Sequence, residues 1–437
     1  MTECRGTRGI FPACKSRRVQ ADFDGGDITS DGGGLLVRQA DRKLRLTATA
    51  AAALSDPRRQ KSCEHRLLAL LRQRVYALAL GYEDLNDHEA LRHDPAFQTF
   101  VERDETLAHP STLCRFENRA DRQAAGALST VLVEQFIRSH RRRPQRLILD
   151  LDATDDPVHG QQEGRFFHGY YDQYCFLPLY VFCGSQLLVA YLRPSNIDVA
   201  RHAWAVVALL VKRFRQVWPE VEIIVRGDSG FCRWRMLRWC DTHQVGYLVG
   251  LAKNSRINAL AAGLIEQAQA AFEETGQKQR RFATVRYAAA TWDRERRVIV
   301  KAEHTELGSN PRYVVTNLEG SPETLYDRVY CARGDMENRI KEQQLDLFSD
   351  RTSCHRWWPN QWRLLLSALA YVLVETIRRV GLRGTELARA QCGTIRLKLF
   401  KVGGVVRRNT RRVCLHLSAA CPYQRVFFLV AHRLSTA

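Results

Sequence analysis

The chain has 437 residues, enough for two or three domains with a sizeable buried core. Lys and Arg number 66 against 47 Asp and Glu, so the formal net charge of +19 favours a polyanionic partner such as nucleic acid and disfavours a cationic one. The thirteen cysteines show neither C-x-x-C nor regular spacing with histidine, which excludes the usual zinc and disulfide frameworks.

The sequence contains no evident targeting or membrane segment. Its N-terminal stretch, MTECRGTRGIFPACKSRR, lacks the apolar core of a signal peptide. The longest apolar run, residues 364–374, is too short to span a bilayer and predicts a buried helix. We therefore expect a cytoplasmic protein with no membrane partner.

The first part of the chain has a helical pattern. From about residue 35 to residue 140, apolar residues recur at three- and four-residue steps, as in HRLLALLRQRVYALALGYEDL. In HPSTLCRFENRA, Ser111 is the candidate N-cap of one such helix. A helix-turn-helix is one interpretation, although any small helical domain shows the same pattern. Residues 1–140 are predicted to form a helical DNA-binding region.

Strands and helices then follow in an informative order. RLILDLDAT predicts one strand, and CFLPLYVFCGSQLLVAYLRP predicts two more, joined near Gly184. VARHAWAVVALLVKRFRQVW predicts a helix, VEIIVRGDSG a strand, RWRMLRWCDTHQ a helix and GYLVGLA a strand. Three consecutive strands before the first helix, with strands and helices alternating afterwards, are the order of an RNase H-like core.

The second half contains a change of pattern. Between about residues 252 and 312, FATVRYAAATW and RRVIVKAEH predict a β-rich insertion. RYVVTNL predicts another core strand, and Ser321-Pro322 marks the start of a helix. The predicted fold class is α/β, with the RNase H-like catalytic core at residues 141–400 and a basic C-terminal segment at residues 401–437.

Three acidic residues lie where predicted elements can bring them together. Asp152 ends the first core strand, Asp228 ends the fourth, and Glu337 lies on the late helix. Two divalent ions acting on a phosphodiester need oxygen ligands from separate elements, and this set supplies them. Taken singly, Asp152 and Asp228 are better explained as turn residues, and Glu337 as a solvated glutamate paired with Lys341. Together they favour a nuclease-type metal site.

The opening strand offers more acids than one site needs. Asp150 and Asp152 project from the same strand face, so alternation cannot choose between them, and Asp150 stays a possible metal ligand. Asp155 and Asp156 lie beyond the strand, where we expect solvated loop residues. In the alternative of a haloacid-dehalogenase-type phosphatase, Asp150 would be the nucleophile. The order of elements disfavours it, and Cys232 stands where that enzyme needs a second carboxylate.

Three motifs carry a family resemblance: Asp152-Ala153-Thr154, RGDSGF from Arg226 to Phe231, and Tyr330-x-x-Arg333-x-x-x-Glu337-Asn338-x-Ile340-Lys341-Glu342. They resemble the acidic motifs of DDE transposases of bacterial insertion sequences. The resemblance is closest to the group catalogued as thirteen-eighty, whose relatives share a Tyr-Arg-Glu-Lys signature. It runs from about Gly32 to near the C-terminus.

The resemblance implies that Asp152, Asp228 and Glu337 are catalytic and bind two Mg²⁺ ions, for which Mn²⁺ substitutes. It also implies an RNase H-like core and a bacterial, nucleoid-associated homodimer or higher oligomer that binds terminal inverted repeats and target DNA in a synaptic complex. The signature tyrosine and arginine fall on Tyr330 and Arg333 as DNA contacts. An inactive DNA-binding derivative is the second alternative.

One position departs from the signature. The signature lysine should follow the glutamate by seven positions, where this chain has Gln344. Lys341 is the candidate substitute, because steps of three and four residues place it on the same helix face as Glu337.

Basic and aromatic residues supply further candidates for DNA contact. VVRRNTRRVCLHL carries Arg407, Arg408, Arg411 and Arg412, with TIRLKLFKV as its expected partner strand. Such a hairpin would lie along phosphates, or would simply be a solvated basic edge. Trp292 lies in the predicted insertion, where transposases that form hairpinned ends often hold a flipped base, but packing in a core is the alternative.

Overall fold

The computed structural model describes residues 9–436. The chain divides into two compact units, one formed by Met1–Arg119 with Leu369–Ala437 and the other by Ala120–Ala368. Residues 1–8, on which the expectation about a signal peptide partly rests, lie outside the described residues. None of the helices within the described range combines the length and apolar character that a membrane span requires.

The strands are numbered in chain order. They are β1 Gly9–Cys14, β2 Arg17–Ala21, β3 Ile28–Thr29, β4 Arg146–Ala153, β5 Asp156–Pro157, β6 Phe166–His168, β7 Gln173–Phe176, β8 Leu179–Cys183, β9 Gln186–Tyr191, β10 Glu222–Gly227, β11 Gly246–Leu251, β12 Gln279–Tyr287, β13 Arg296–Thr305, β14 Gly308–Ser309, β15 Arg312–Thr316, β16 Gly404–Arg408 and β17 Val413–Leu417.

The α-helices are numbered likewise. They are α1 Gly34–Leu44, α2 Leu46–Ala53, α3 Leu67–Leu80, α4 His88–Leu91, α5 Pro95–Val101, α6 Pro110–Asn118, α7 Arg122–Arg138, α8 Ala203–Val217, α9 Trp234–Thr242, α10 Ser255–Leu260, α11 Ala262–Thr275, α12 Pro322–Thr324, α13 Gly334–Lys341, α14 Trp357–Thr376, α15 Cys392–Ile395 and α16 Gln424–Ser435. Short 3₁₀ or π-helical turns extend several of them.

The unit of residues 120–368 is built on a nine-stranded mixed sheet. Its strand order is β12-β13-β15-β11-β10-β4-β8-β9, with β14 added beside β13. Strands β4, β10 and β11 are mutually parallel, and the other pairs are antiparallel. The predicted strands at 146–154, 175–194, 221–230 and 246–252 are thereby confirmed. The chain has a mixed α/β fold.

Both faces of the sheet bury apolar side chains, and the larger cluster packs against α8. β4 contributes Leu147, Leu149 and Leu151, and α8 contributes Val207 and Phe214 to the same buried cluster. Period-two burial on the strand and three- to four-residue spacing on the helix are the patterns expected for such packing. Each fully buried side chain of this kind contributes about 1.5–3 kcal/mol, so the position of β4 is strongly fixed.

The segment expected to be a β-rich insertion is only partly β. Residues 255–275 form α10 and α11, which the sequence reading missed, and Asn254 caps α10 by accepting a hydrogen bond from the Ile257 amide. The two strands that follow, β12 and β13, pair with each other, and β13 pairs with β15. The segment therefore extends the edge of the main sheet.

The other unit joins the two ends of the chain. A Cβ at Gly33 would lie 1.8 Å from the Leu399 carbonyl oxygen, so only glycine allows this close approach. Lys401 Nζ lies 2.7 Å from a carboxylate oxygen of the buried Asp31. The region predicted to be helical, residues 1–140, also contains the β1–β2 hairpin before α1. The N-cap of α6 is His109 and not Ser111, whose amide donates to the His109 ring.

The basic hairpin also differs from its expected pairing. β16 pairs with β17, so the arginine-bearing segment forms both strands by itself. TIRLKLF, the expected partner strand, is instead helical as α15 and a π-turn at Arg396–Phe400. A short apolar run does not distinguish a strand from a buried helical segment by its periodicity, which explains the error.

Candidate active site

The register of two parallel strands places the first two acids side by side. In the β4–β10 pair, Asp150 lies opposite Arg226. Asp152 and Asp228 each follow two residues later along the chain, at the same edge of the sheet. Asp228 begins the 3₁₀ turn Ser229–Phe231, and its Oδ1 accepts a hydrogen bond of 2.9 Å from the Gly230 amide. Two carboxylates 76 positions apart are thus brought together by strand pairing.

Both carboxylate oxygens of Asp150 are occupied by hydrogen bonds. It is 3% exposed, and Arg226 donates to both its oxygens, from Nε at 2.5 Å and from Nη2 at 2.6 Å. Burial raises the pKa of the Asp150 carboxyl, and the Arg226 guanidinium opposes this rise. Arg226 also donates to the Val329 carbonyl, before the third-motif helix. A bidentate buried pair of this kind is a structural brace and leaves Asp152 as the accessible acid of β4.

The third motif lies on one irregular helical segment. Ser321 caps α12 with Pro322 at its first position, which confirms the predicted start. Between residues 325 and 346 the segment passes through π, 3₁₀, α and again π geometry. Such π-turns inside helices are frequently found at functional sites. They bring Tyr330, Arg333 and Glu337 to the sheet edge that carries Asp152.

Arg333 lies between the acids of the three motifs. Its Nη1 is 3.6 Å from an Asp152 oxygen, and its Nη2 donates to Glu337 Oε1 at 3.0 Å. Burial lowers the pKa of Arg333, but Asp152, Tyr330, Glu337 and Asp228 together raise it above its ordinary value. One guanidinium therefore experiences the field of all three carboxylates.

The pKa of Asp152 also depends on the charges of the other two motifs. Its pKa is raised to about 6, chiefly by burial, with contributions from Asp228 and Glu337 that Arg333 opposes. The Asp228 and Glu337 carboxylates therefore lie within electrostatic range of Asp152. Within residues 9–436, no three His, Cys, Asp or Glu side chains converge closely enough to form a metal site in this arrangement. Arg333 occupies the space between two of the carboxylates.

A cavity of about 360 Å³ opens beside Asp228. Its lining includes Lys253, Arg312, Tyr326, Tyr330 and Arg333. A Cβ at Gly250 would lie 2.8 Å from the Tyr330 hydroxyl, so this glycine lets β11 approach the tyrosine closely. Burial raises the pKa of both tyrosines, and the nearby Arg312 lowers it in part. Cations and phenols thus line a cavity next to the second carboxylate.

Two residues predicted to contact DNA, Lys341 and Trp292, do not line this cavity. Lys341 is exposed on α13, while the Gln344 side chain donates to the Asp155 carbonyl at 2.9 Å and so braces the helix against the first motif. Trp292 packs edge-on against Tyr287, with ring centres 5.6 Å apart, and under the Arg296 guanidinium.

The four arginines of the basic hairpin are all exposed: Arg407, Arg408, Arg411 and Arg412. They belong to the other unit of the chain. Arg408 donates to Gln98 at 2.9 Å. The Arg411 and Arg412 amides donate to Asn409 Oδ1 and close the turn between β16 and β17.

Sequence reasoning missed Arg226, Arg312 and Tyr326. Arg226 had a readable signal, because it precedes Asp228 by the same two positions that separate Asp150 from Asp152. Arg312 and Tyr326 carried no such signal, since their place in the cavity depends on non-local packing.

Asp156 is not the solvated loop residue expected from the sequence. It pairs with Phe176 as part of β5 and is buried. Burial raises the pKa of its carboxyl well above the ordinary range, and the Asp350 carboxylate adds to the rise. The loop after Asp152 therefore contains a buried acid that is costly to ionise.

Asp156→Asn is expected to stabilise the protein at neutral pH, because the neutral amide avoids the cost of ionising a buried carboxyl. A carboxyl whose pKa rises on folding stabilises the folded state below its unfolded pKa, and this stability is lost as pH rises through its folded pKa. Urea unfolding near pH 8 and near pH 4 measures the effect, and the gain should shrink at the lower pH. An equal gain at both values would contradict the assignment.

Comparisons with known proteins identify the family of the chain. The family model described as transposase DDE domain group 1 matches residues 11–437. No curated protein matches the chain in sequence. A solved structure that is similar is the cryo-EM structure of the piggyBac transposase synaptic complex with hairpin DNA. It has a TM-score of 0.44 and 10% identity and covers 90% of this chain and 81% of that chain. The expected kinship with DDE transposases is confirmed at the level of the family, and the chain belongs to the transposase DDE domain group 1 family.

Proposed function

We propose that the protein is the DNA transposase of a bacterial insertion sequence of the thirteen-eighty group. It binds the terminal inverted repeats and catalyses divalent-metal-dependent strand cleavage and strand transfer by a DDE mechanism. The observation that carries the proposal is the set of Asp152, Asp228 and Glu337, which come from three separate elements and share the field of one cation, Arg333.

The sheet supports an RNase H-like assignment for the catalytic core. The consecutive neighbours β9-β8-β4-β10-β11 contain an antiparallel three-strand meander followed by two parallel strands. This is the arrangement expected from three strands in sequence followed by helix-connected strands. We assign the core to residues 141–400, with DNA-binding roles for residues 1–140 and for the basic segment 401–437.

The donor set fits hard divalent cations, which the family generally uses. Carboxylate oxygens are the ligands that Mg²⁺ prefers, and Mn²⁺ accepts the same set. Asp152, Asp228 and Glu337 would hold two such ions, and the ions would supply activation of water or a DNA 3′-hydroxyl. Burial, with smaller contributions from Asp228 and Glu337, raises the pKa of Asp152, and a bound cation would favour its charged form. Arg333, which lies beside Asp152 and Glu337, would offset their charge and contact phosphate in the complex with DNA.

The phosphatase alternative has no support in the geometry. Asp150 would have to attack a phosphorus atom, but both its oxygens accept hydrogen bonds from Arg226 and it is buried. A nucleophile must reach its substrate, so Asp150 does not meet this requirement.

The direct test is cleavage of a labelled DNA fragment that carries the element's own end. With Mg²⁺ or Mn²⁺ the protein is expected to leave a 3′-hydroxyl at that end, and with chelator it is expected to bind without cutting. Binding without cleavage under every metal condition would identify an inactive DNA-binding derivative. The native mass of the complex would show whether two or more copies join two ends, as the proposed synaptic complex requires.

The cavity beside Asp228 supplies a prediction about phosphate contact. Arg312→Ala is expected to weaken binding of end DNA and to lower the slope of log K against log salt by about 0.9, the value for one phosphate contact. The matched control is Arg281→Ala, an exposed arginine of β12 outside the cavity. Fluorescence anisotropy over a range of salt concentrations measures both slopes. An unchanged slope in Arg312→Ala would show that its guanidinium meets no phosphate.

A further inference from the structure

A β-ribbon follows the first carboxylate strand and carries aromatic side chains into solvent. β6 and β7 pair antiparallel and are joined by residues 169–172, with Asp172 in the left-handed region at a φ of 52°. The base of the ribbon is anchored, because Phe176 is buried and packs edge-on against Trp357 with ring centres 5.4 Å apart. The base therefore fixes the direction in which the outer end projects.

The outer end is unusually rich in exposed rings. The exposed fractions are 41% for Phe166, 53% for Phe167, 85% for Tyr170 and 48% for Tyr174. Phe166 and Phe167 point to opposite faces of the strand, so neither face of the outer end is buried. The Phe167 and Tyr174 rings meet edge to face at 5.7 Å, and the Arg165 guanidinium lies 4.4 Å from the Tyr174 ring centre. The Phe167 and Tyr174 rings are thus held in place although they are exposed.

The ribbon contacts the loop that follows Asp152. Burial raises the pKa of Tyr171 to about 12, and the carboxylates of Asp155 and Asp152 add to the rise. Gln173 donates to Asp155 Oδ2 at 2.6 Å. The ribbon is therefore tied to the segment that directly follows the first carboxylate strand.

The chemistry of the exposed rings and of Arg165 favours one class of ligand. Exposed aromatic rings with an interleaved guanidinium form the usual stacking platform for unpaired bases. Four rings of about 150–250 Å² each, roughly half exposed, offer about 300–600 Å². This area is below the roughly 800 Å² per partner of a standard protein interface, and it suits a few stacked bases.

We propose that this ribbon, residues 165–174, binds unpaired bases of the DNA strand whose backbone lies at the carboxylates. The proposal deepens the transposase function and rests on it. The ribbon would hold one strand apart from its complement at the reacting end, and its contacts would be to base faces and not to phosphates.

Binding of a short single-stranded oligonucleotide containing 2-aminopurine, without metal, tests the proposal on the full chain. Stacking should quench the 2-aminopurine fluorescence. Tyr170→Ala and Phe167→Ala are each expected to bind about five- to a hundredfold more weakly, because stacking on one ring is lost. Their salt dependence should stay unchanged, since no phosphate contact is removed. Tyr170→Phe keeps the ring and should bind as the native protein does.

Leu307→Ala is the matched control, since Leu307 is a fully exposed apolar residue of the same unit outside the ribbon. Native-like oligonucleotide binding by both alanine variants would overturn the proposal, as would a change of oligomeric state with unchanged binding. Cleavage of end DNA by the native protein is scored separately. Loss of oligonucleotide binding in the variants together with an inactive native protein would refute the transposase function and leave the base-binding site standing.

Discussion

Replacing Asp228 with asparagine or Glu337 with glutamine is expected to lower the rate of DNA-end cleavage at least about a thousandfold while DNA binding is retained. Each amide keeps the shape of the side chain but removes the charge that holds a divalent ion. Metal ions contribute several kcal/mol of transition-state stabilisation, and about 4 kcal/mol corresponds to a thousandfold in rate. Nicking of a labelled end fragment measures the rate, and gel-shift titration measures the binding.

Asp335→Asn is the control for these two variants. Asp335 is an exposed acid on α13, two positions before Glu337. Its replacement by asparagine removes the same charge from the same helix. It should cleave at close to the native rate. If Glu337→Gln cleaved as fast as Asp335→Asn, the third ligand would be wrongly assigned.

Asp150→Asn is expected to destabilise the protein by about 3–5 kcal/mol, because it leaves the Arg226 guanidinium buried without its partner. The cost arises from an uncompensated buried charge and not from loss of a metal ligand. Urea unfolding gives the change in free energy at constant m-value.

The double variant Asp150→Asn with Arg226→Met should recover most of this loss, since it removes the unpaired charge as well. Asp150 would instead be a metal ligand if Asp150→Asn abolished cleavage while the free energy of unfolding stayed native.

The order of strands and helices in the core could be predicted because each element carries a clear period of two or of three to four residues. The ends of those elements could be placed as well, and with them Asp152, Asp228 and Glu337. The choice between Asp150 and Asp152 could not be made, since both have the same parity on β4. It depends on the pairing of Asp150 with Arg226, a contact across 76 positions.

Other errors have different physical origins. Asp156 follows a strand in an acidic run, which is typical of a solvated loop, but the β5–β7 pairing buries it. Helices α10 and α11 did carry local signals, with Asn254 as N-cap and Gly276 in the left-handed region at the C-terminal end. These two capping signals predict helix for residues 255–275. Had they been used, the predicted β-rich insertion would have been limited to residues after 278.

The measurement that tests the account most directly is metal-dependent cleavage of the element's end by Asp152→Asn beside Asp155→Asn. Asparagine at 155 can still accept the hydrogen bond from Gln173, so that variant should cleave normally. Asp152→Asn should fold, bind the end and fail to cut it. Cleavage by Asp152→Asn at the native rate would contradict the assignment of this carboxylate, and with it the proposed DDE site.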